Sequence, residues 1–226
     1  MQYRIIGSTM PAVETILNRG ESMYTQSGGM AWMSQGVEMT TSTKGGVLKG
    51  LGRKMFAGES MFMATYTAVM DNATVAFAST VAGEIVPIDL AKHQGLICQK
   101  GAFLCATPGV QMNMTFTKKF SAGLFGGEGF ILQQAVGNGL IFLEIDGDRV
   151  EKTLAPGEVL YVDTGNLVAF DPTVQYEIQM IKGVKNIFFG GEGLFNTKLT
   201  GPGKVILQTQ NFNEFASRIL AMMPRS

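Results

Sequence analysis

The sequence contains an internal repeat, and this repeat limits the folds that the chain can adopt. Each of three copies carries a cassette made of an aromatic residue, a small residue, Gly and Glu. The cassettes end at Glu59, Glu128 and Glu192, which are 69 and 64 residues apart. The first copy also carries a Gly- and Lys-rich insert before its cassette, which we expect to form an exposed loop.

The length of the repeat favours a closed arrangement of three similar units. A glycine opens a strand-like segment in each copy, at Gly20, Gly101 and Gly157. Copies of about 65 residues exceed the roughly 20–50-residue periods of solenoids. Closure around a pseudo-threefold axis would instead pair the sheet edges that an open array exposes. We therefore expect one compact domain over residues 1–226, with copies over approximately 10–80, 90–150 and 151–210.

Alternation between apolar and polar residues predicts β-strands over most of the chain. Residues 110–117 place an apolar side chain at every second position, and residues 174–180 do the same. A period of two is typical of strands with one buried face. Asp146-Gly147, between the segments LIFLEI and RVEKTL, predicts a β-hairpin. Asp71-Asn72, inside the weakly charged stretch 60–83, indicates strand–turn–strand rather than a membrane helix.

The C-terminus shows a helical pattern instead. Asn211 and Glu214 have the spacing of a capping box, with Asn in the cap position. Apolar residues then recur at spacings of three and four, at Phe212, Phe215, Ile219 and Met223. This pattern predicts one amphipathic helix over residues 211–223 that packs on the sheets.

The repeated cassettes and the segment Gly-Pro-Gly-Lys-Val at 201–205 resemble those of the "altered inheritance of mitochondria" family of uncharacterised proteins. This family is widespread in prokaryotes and has a yeast mitochondrial relative, and the resemblance covers residues 10–210. It implies a fold similar to that of the tryptophan RNA-binding attenuation protein (TRAP). Such a fold is all-β, with three internally repeated antiparallel β-sandwich units in a pseudo-threefold, double-stranded β-helix-like arrangement, here followed by one helix. The first copy departs from the pattern, because AGES at 57–60 replaces GGEG.

The charge balance and the scarcity of His and Cys exclude several function classes. There are 18 basic and 18 acidic residues, so the chain lacks the basic excess that binding to nucleic acid requires. One His and two Cys supply too few ligands for most metal cages. Because no nucleophile-elbow, Walker A or dinucleotide motif is complete, we expect no enzyme activity, no metal and no cofactor. The N-terminal segment lacks the apolar core of a secretory signal, which predicts a cytoplasmic location.

The cassette glutamates are the candidate site residues, and two roles stay open for them. If Glu59, Glu128 and Glu192 meet near a pseudo-threefold axis, they could bind a cation or a small cationic ligand. Alternatively, each carboxylate accepts backbone N–H bonds within its own glycine-rich turn. Recurrence in every copy favours the second role, because each unit must make the same corner.

The remaining reactive side chains are interpreted as structural. If Gly101-Ala102 were a two-residue hairpin loop, Cys98 and Cys105 would face each other and could form a disulfide. In a reducing compartment, two small buried thiols are the favoured interpretation. His93 lies in a polar segment and is expected to be a solvated loop residue.

Together these patterns favour a protein of unknown function that acts as a non-enzymatic, homo-oligomeric binding or scaffold protein, with an unidentified protein or small-ligand partner. The Met-rich first copy either fills an irregular core or lines a groove or an oligomer interface. Association with a membrane surface is one alternative, which the mitochondrial relative suggests. Binding of RNA or a small ligand, by analogy with the attenuation protein, is another, although the basic residues of the first two copies do not recur in the third.

Overall fold

The alternating segments form strands in the computed structural model, which describes residues 1–26, 28–42, 63–118, 130–180 and 195–223. Within these ranges the chain forms one α-helix, α1 (Phe212–Met222). The strands are β1 (Gln2–Ile6), β2 (Ala12–Leu17), β3 (Ser22–Gln26), β4 (Met30–Met33), β5 (Val37–Ser42), β6 (Met63–Ala68), β7 (Ala73–Ala78), β8 (Gly83–Asp89), β9 (Leu96–Gln99), β10 (Phe103–Ala106), β11 (Val110–Lys118), β12 (Phe130–Gly137), β13 (Leu140–Asp146), β14 (Arg149–Leu154), β15 (Val159–Asp163), β16 (Leu167–Phe170), β17 (Gln175–Met180), β18 (Phe195–Thr200) and β19 (Gly203–Gln208). The predicted all-β chain with one C-terminal helix is confirmed.

The described strands form four antiparallel sheets whose strand orders repeat. Sheet 1 has the order β1-β2-β7-β4, and sheet 2 has the order β5-β6-β3-β10-β13-β8. Sheet 3 has the order β11-β12-β9-β16-β19-β14, and sheet 4 has the order β15-β18-β17. Adding six to every strand number of sheet 2 gives sheet 3. The same shift converts β11-β12-β9, which is one half of sheet 3, into β17-β18-β15, which is sheet 4. It also converts β4-β7-β2 of sheet 1 into β10-β13-β8, which is one half of sheet 2.

The strand order therefore divides the chain into three successive blocks, β2–β7, β8–β13 and β14–β19. Sheets 2 and 3 each combine strands of two neighbouring blocks. Sheet 4 has the strand order of one half of sheets 2 and 3, and β4-β7-β2 of sheet 1 has the strand order of the other half. The closed pseudo-threefold arrangement and the likeness to the attenuation protein stay predictions.

The strand register repeats together with the strand order. Each block has an irregularity in its third strand, where the pairing skips Ala31, Leu104 or Val168. Three residues after the skipped position, a residue with a polar side chain forms two hydrogen bonds with one partner residue later in the chain. Its side-chain oxygen accepts the backbone N–H of the partner, and its own backbone N–H donates to the carbonyl of the partner. These pairs are Ser34–Thr74, Thr107–Leu140 and Asp171–Lys204, with side-chain bonds of 2.8, 3.0 and 2.8 Å. This repeated side-chain hydrogen bond, the corner bond, lies at the same position in each block.

Three apolar clusters fill the spaces between the sheets. Phe77 and Phe142 belong to the cluster between sheets 1 and 2, and Met112 belongs to the cluster between sheets 2 and 3. Leu199 belongs to the cluster between sheets 3 and 4. Each of these side chains is fully buried, and burial of one such side chain contributes about 1.5–3 kcal/mol. The assignment of residues 1–226 to a single domain stays a prediction.

The turn at Asp146-Gly147 is present, but the predicted hairpin is wrong. Gly147 has φ of +72°, as a tight turn requires. However, β13 before the turn lies in sheet 2, whereas β14 after it lies in sheet 3. The turn at Asn72, with φ of +58°, likewise carries the chain from sheet 2 to sheet 1. Alternation shows that a segment is a strand, but it does not show which sheet the strand joins.

The segment around Gly101 also differs from the prediction. Residues Lys100–Ala102 form a 3-10 turn, and β9 and β10 on either side of it lie in different sheets. The cross-strand disulfide, which was the alternative, is therefore wrong, and the favoured interpretation of two buried free thiols is confirmed. Gly20 and Gly157 donate their N–H groups to equivalent carbonyls, those of Ala68 at the end of β6 and Gly201 just after β18. Gly101 instead precedes a different strand of its block. Gly101 is thus not the counterpart of the other two.

Helix α1 begins at the predicted cap but does not pack on the sheets. The Asn211 side chain accepts the N–H of Glu214 at 3.2 Å. The four side chains predicted to be buried are exposed, namely Phe212, Phe215, Ile219 and Met223. The expected packing is therefore wrong. The three clusters between the sheets contain no residue of α1.

Candidate functional site

The predicted site residues Glu59, Glu128 and Glu192 lie outside the described residues. His93 is described, and it is exposed at the end of the 3-10 turn Leu90–Lys92, as a solvated loop residue should be. Cys98 and Cys105 are fully buried. Burial raises the pKa of the Cys98 thiol to about 12 and the pKa of Cys105 well above its usual value. Both groups are therefore protonated and unreactive at neutral pH.

A polar cleft of about 170 Å³ lies where sheets 2 and 3 meet the start of α1. Its walls include the ends of β13 and β19, the 3-10 turns that precede β10 and β16, and the first residues of α1. Its polar side chains include Thr80, Gln99, Glu144, Asp146 and Gln208. Because Glu144 and Asp146 are two residues apart on β13, they point to the same face of the strand. This cleft is the candidate functional site.

Glu144 is the most extensively bonded carboxylate of the cleft. Its Oε2 accepts the backbone N–H of Thr80 at 3.0 Å and the hydroxyls of Ser79 and Thr80 at 3.1 and 3.2 Å. Burial raises the pKa of Glu144, these hydrogen bonds oppose the rise, and the charge of Asp146 adds to it. The carboxylate thus joins β13 to the segment that follows β7.

Asp146 connects the cleft to α1. Its Oδ2 accepts the backbone N–H of Phe212 at 3.2 Å, and its backbone carbonyl accepts the N–H of Gln210 at 3.1 Å. Burial raises the pKa of Asp146, and the bond from Phe212 partly offsets this rise. A carboxylate at this position also interacts favourably with the positive end of the helix dipole. Asp146 therefore fixes the first turn of the helix.

Gln208 of the next block makes the same kind of bond as Glu144. Its Oε1 accepts the backbone N–H of Asp146 at 3.0 Å, and its Nε2 donates to the carbonyl of Gly165 at 2.9 Å. Glu144 and Gln208 hold matching register positions, because Leu143 and Leu207 before them both pair at the strand irregularity. Each side chain therefore ties its block to the end of the preceding block.

These bonds limit the chemistry that the cleft can perform. The carboxylate of Glu144 and that of Asp146 both accept backbone N–H bonds, which restricts their freedom to act on a substrate. An anion at the start of α1 would meet these two carboxylates. Among the described residues, no three His, Cys, Asp or Glu side chains group as metal ligands would. The geometry fits a structural role for the acidic pair.

The sequence did contain a signal for this pair. The strand Leu140–Asp146 is apolar except at Glu144 and Asp146, which share a face. Charged side chains are rarely buried unless they are paired or hydrogen-bonded, so two acids in an apolar strand indicate bonded partners. Those partners, Ser79 and Thr80, are more than 60 residues away in the sequence, and no local pattern points to them.

Exposed apolar side chains form the second notable feature of the surface. They lie on β1 (Tyr3 and Ile5), on β4 and β15, and along α1 (Leu220 and Met222). No helix in the described part of the chain has the length and apolar composition needed to cross a bilayer.

Comparisons with known proteins relate the whole chain to one group. The model of the family described as "Mitochondrial biogenesis AIM24" matches residues 3–210. An uncharacterized protein of Streptococcus pyogenes serotype M6 is 30% identical over 223 residues, which cover 96% of this chain and 88% of that protein. The crystal structure of a Streptococcus pyogenes protein has a TM-score of 0.77 at 27% identity, covering 98% of this chain and 99% of that one.

Proposed function

This chain belongs to the AIM24 family, and from that premise we propose that it is a non-enzymatic binding or scaffold protein that works as a homo-oligomer. The observation that carries the proposal is the exposure of large apolar side chains on several separate elements. Single exposed apolar residues are common, but clusters of them mark contact surfaces.

The exposed side chains are concentrated at the ends and edges of the fold. Trp32 and Met33 lie on the edge strand β4 of sheet 1, and Tyr161 lies on the edge strand β15 of sheet 4. Trp, Tyr and Met are also the residues that are enriched in protein interfaces. A contact at these edges would remove apolar surface from water at about 25 cal/mol per Å².

The absence of catalytic activity is part of the proposal. Its support is that the acidic pair of the described cleft, Glu144 and Asp146, is engaged with the backbone at Thr80 and Phe212. Gln208 makes an equivalent bond with a neutral amide, so this bond does not depend on a carboxylate. With 18 basic and 18 acidic residues, the proposal includes no nucleic-acid partner, and it places the protein in the cytoplasm.

Native mass spectrometry of freshly purified protein tests the proposal, because it reports stoichiometry and any co-purified mass together. We expect an assembly of two or more 24.3 kDa chains without a bound small molecule. A monomer at micromolar concentration would contradict the homo-oligomer. A stoichiometric adduct that is lost on denaturation would show that the protein has a small-molecule or ion site, and the scaffold role would then have to be replaced.

Association with a membrane surface is a second candidate, and α1 is the observation that favours it. Its apolar residues are exposed, as in helices that lie in the plane of a membrane interface. Its one described basic residue, Arg218, forms an ion pair with Glu214, which leaves little attraction for anionic lipids. We therefore rank this candidate below a protein scaffold.

Co-sedimentation with vesicles of phosphatidylcholine and phosphatidylglycerol tests the second candidate. If α1 binds membranes, the wild-type protein will sediment with the vesicles and Leu220→Asp will remain in the supernatant. Ser217→Asp is the matched control, because it adds the same charge to an exposed position of the same helix. Wild-type protein that remains wholly in the supernatant would exclude the candidate.

A further inference from the structure

Two of three corresponding strand joins are made within the described chain. In sheet 2, β3 pairs with β10, and Tyr24 is opposite Ala106. In sheet 3, β9 pairs with β16, and Ile97 is opposite Phe170. The next join in the same series would be β15 with β4. Each of these strands is instead the edge of its sheet, β15 in sheet 4 and β4 in sheet 1.

Repeated backbone and side-chain bonds define which residues would meet at the third join. Glu21 and Glu158 each accept a backbone N–H three residues earlier at 2.8 Å, so Tyr24 and Tyr161, three residues after these glutamates, correspond. Ser34, Thr107 and Asp171 make the same corner bond, so the residues before them correspond as well. The third join would therefore place Tyr161 opposite Met33.

The exposure of these positions differs sharply between the joins. Tyr24 and Ile97 are 6% and 8% exposed, whereas Tyr161 is 58% exposed. On the other side of the join, Ala106 and Phe170 are buried, whereas Met33 is 42% exposed. Trp32, next to Met33, is also exposed, although its counterparts Cys105 and Ala169 are fully buried. The third join is thus open, and both of its apolar edges face solvent.

An open edge of this kind is a ready template for another strand. The partner that fits β4 best is a strand with the sequence of β15, because the two closed joins specify its direction and register. Tyr161 and Met33 would form a cross-strand pair, and contacts between sulfur and aromatic rings are favourable. Within one chain both edges are exposed at once, so neither covers the other.

We infer that β4 of one copy of this chain pairs antiparallel with β15 of a second copy. This inference rests on the homo-oligomer of the proposed function and identifies its interface. Each copy offers one edge of each kind, so the contact is heterologous. The pairing would complete, between chains, a sheet with the strand order of sheets 2 and 3.

Cysteine cross-linking between two single variants tests the interface. Met33→Cys and Tyr161→Cys are purified separately, mixed and oxidised under native conditions. We expect a disulfide-linked two-chain product in the mixture and much less of it in either variant alone. The native cysteines do not interfere, since Cys98 and Cys105 are fully buried. Ile5→Cys mixed with Tyr161→Cys is the control, because Ile5 is also exposed but lies on β1, at the other edge of sheet 1.

The outcomes separate this inference from the proposed function. If native mass spectrometry shows an oligomer but the mixture gives no product above the control, the interface is wrong and the scaffold stands. If the wild-type protein is monomeric, both fail. An intrachain disulfide in a Met33→Cys/Tyr161→Cys double variant that stays monomeric would show that the edges close within one chain, and this would overturn the inference.

A charge substitution gives an independent readout on a folded protein. Tyr161→Lys places a charge at the expected contact, and we expect it to shift the oligomer to monomer without changing the circular dichroism spectrum. Ile5→Lys should leave the oligomer intact. An oligomer that is unaffected by Tyr161→Lys would overturn the inference.

Discussion

Glu144 and Gln208 hold matching positions in β13 and β19, and each accepts a hydrogen bond from a backbone N–H at or just after the end of the last strand of the preceding block. Glu144 accepts the N–H of Thr80, and Gln208 accepts the N–H of Asp146. One acceptor is a carboxylate and the other is a neutral amide. The connection between blocks therefore needs an oxygen acceptor and no negative charge.

Replacement of Glu144 tests this conclusion. We expect Glu144→Gln to keep the fold and to raise the free energy of unfolding at neutral pH, because it removes a partly buried charge beside Asp146. Glu144→Ala should lower it by about 1–3 kcal/mol, because the N–H of Thr80 loses its acceptor. Urea unfolding followed by fluorescence measures both. Equal losses in the two variants would contradict the role assigned to the oxygen.

The same residue should produce a pH dependence of defined sign. Burial raises the pKa of Glu144, so the folded protein binds this proton at a higher pH than the unfolded chain does. The unfavourable contribution is fully present above the folded pKa and is lost as pH falls through it. The advantage of Glu144→Gln over the wild type should thus shrink between about pH 7 and about pH 4. Glu38→Gln, at an exposed position, is the control.

The repeated corner bond predicts equal effects at distant positions. Thr107→Ala should lower the free energy of unfolding by about 0.5–1.5 kcal/mol, because the backbone N–H of Leu140 loses its side-chain acceptor. Thr107→Ser keeps the hydroxyl and should retain most of the stability. Ser34→Ala should cost a similar amount, since it removes the corresponding bond. If Thr107→Ala is as stable as Thr107→Ser, the corner bond contributes nothing.

Loss of the helix cap should affect α1 alone. Asn211→Ala removes the acceptor for the N–H of Glu214, which typically costs about 1 kcal/mol of helix stability. Since α1 has no buried residue, we expect faster amide exchange in Phe212–Met222 and an unchanged melting temperature of the body. Asn213→Ala, inside the helix, is the control. A lower melting temperature specific to Asn211→Ala would show that the helix supports the sheets.

The sequence was sufficient to predict strands but not their partners. Val110 and Met112 are buried while Gln111 is exposed, which is the alternation that predicted β11. The Asp146-Gly147 turn was also correct, but its flanking strands separate into two sheets. Sheet membership depends on contacts between distant residues, such as Tyr24 with Ala106, and these leave no local pattern.

The candidate sites were predictable to different degrees. The Asn211 cap followed from spacing, because capping is a contact within four residues. The exposure of the helix did not, because an amphipathic pattern shows that a face is apolar and not what covers it. The bonding of Glu144 depends on Ser79 and Thr80, which belong to a different block. The cassette residues Glu59, Glu128 and Glu192 lie outside the described residues, and their role stays a prediction.

Amide hydrogen exchange of the edge strands tests the central claim most directly. In the assembled wild-type protein, we expect β4 to be protected to the same degree as its paired counterparts β10 and β16, and β15 to the same degree as β3 and β9. In Tyr161→Lys, the amides of β4 that do not bond to β7 should lose protection while β10 and β16 remain protected. Rapid exchange of both edge strands in the assembled wild type would contradict pairing between copies, because unpaired edge amides are open to water.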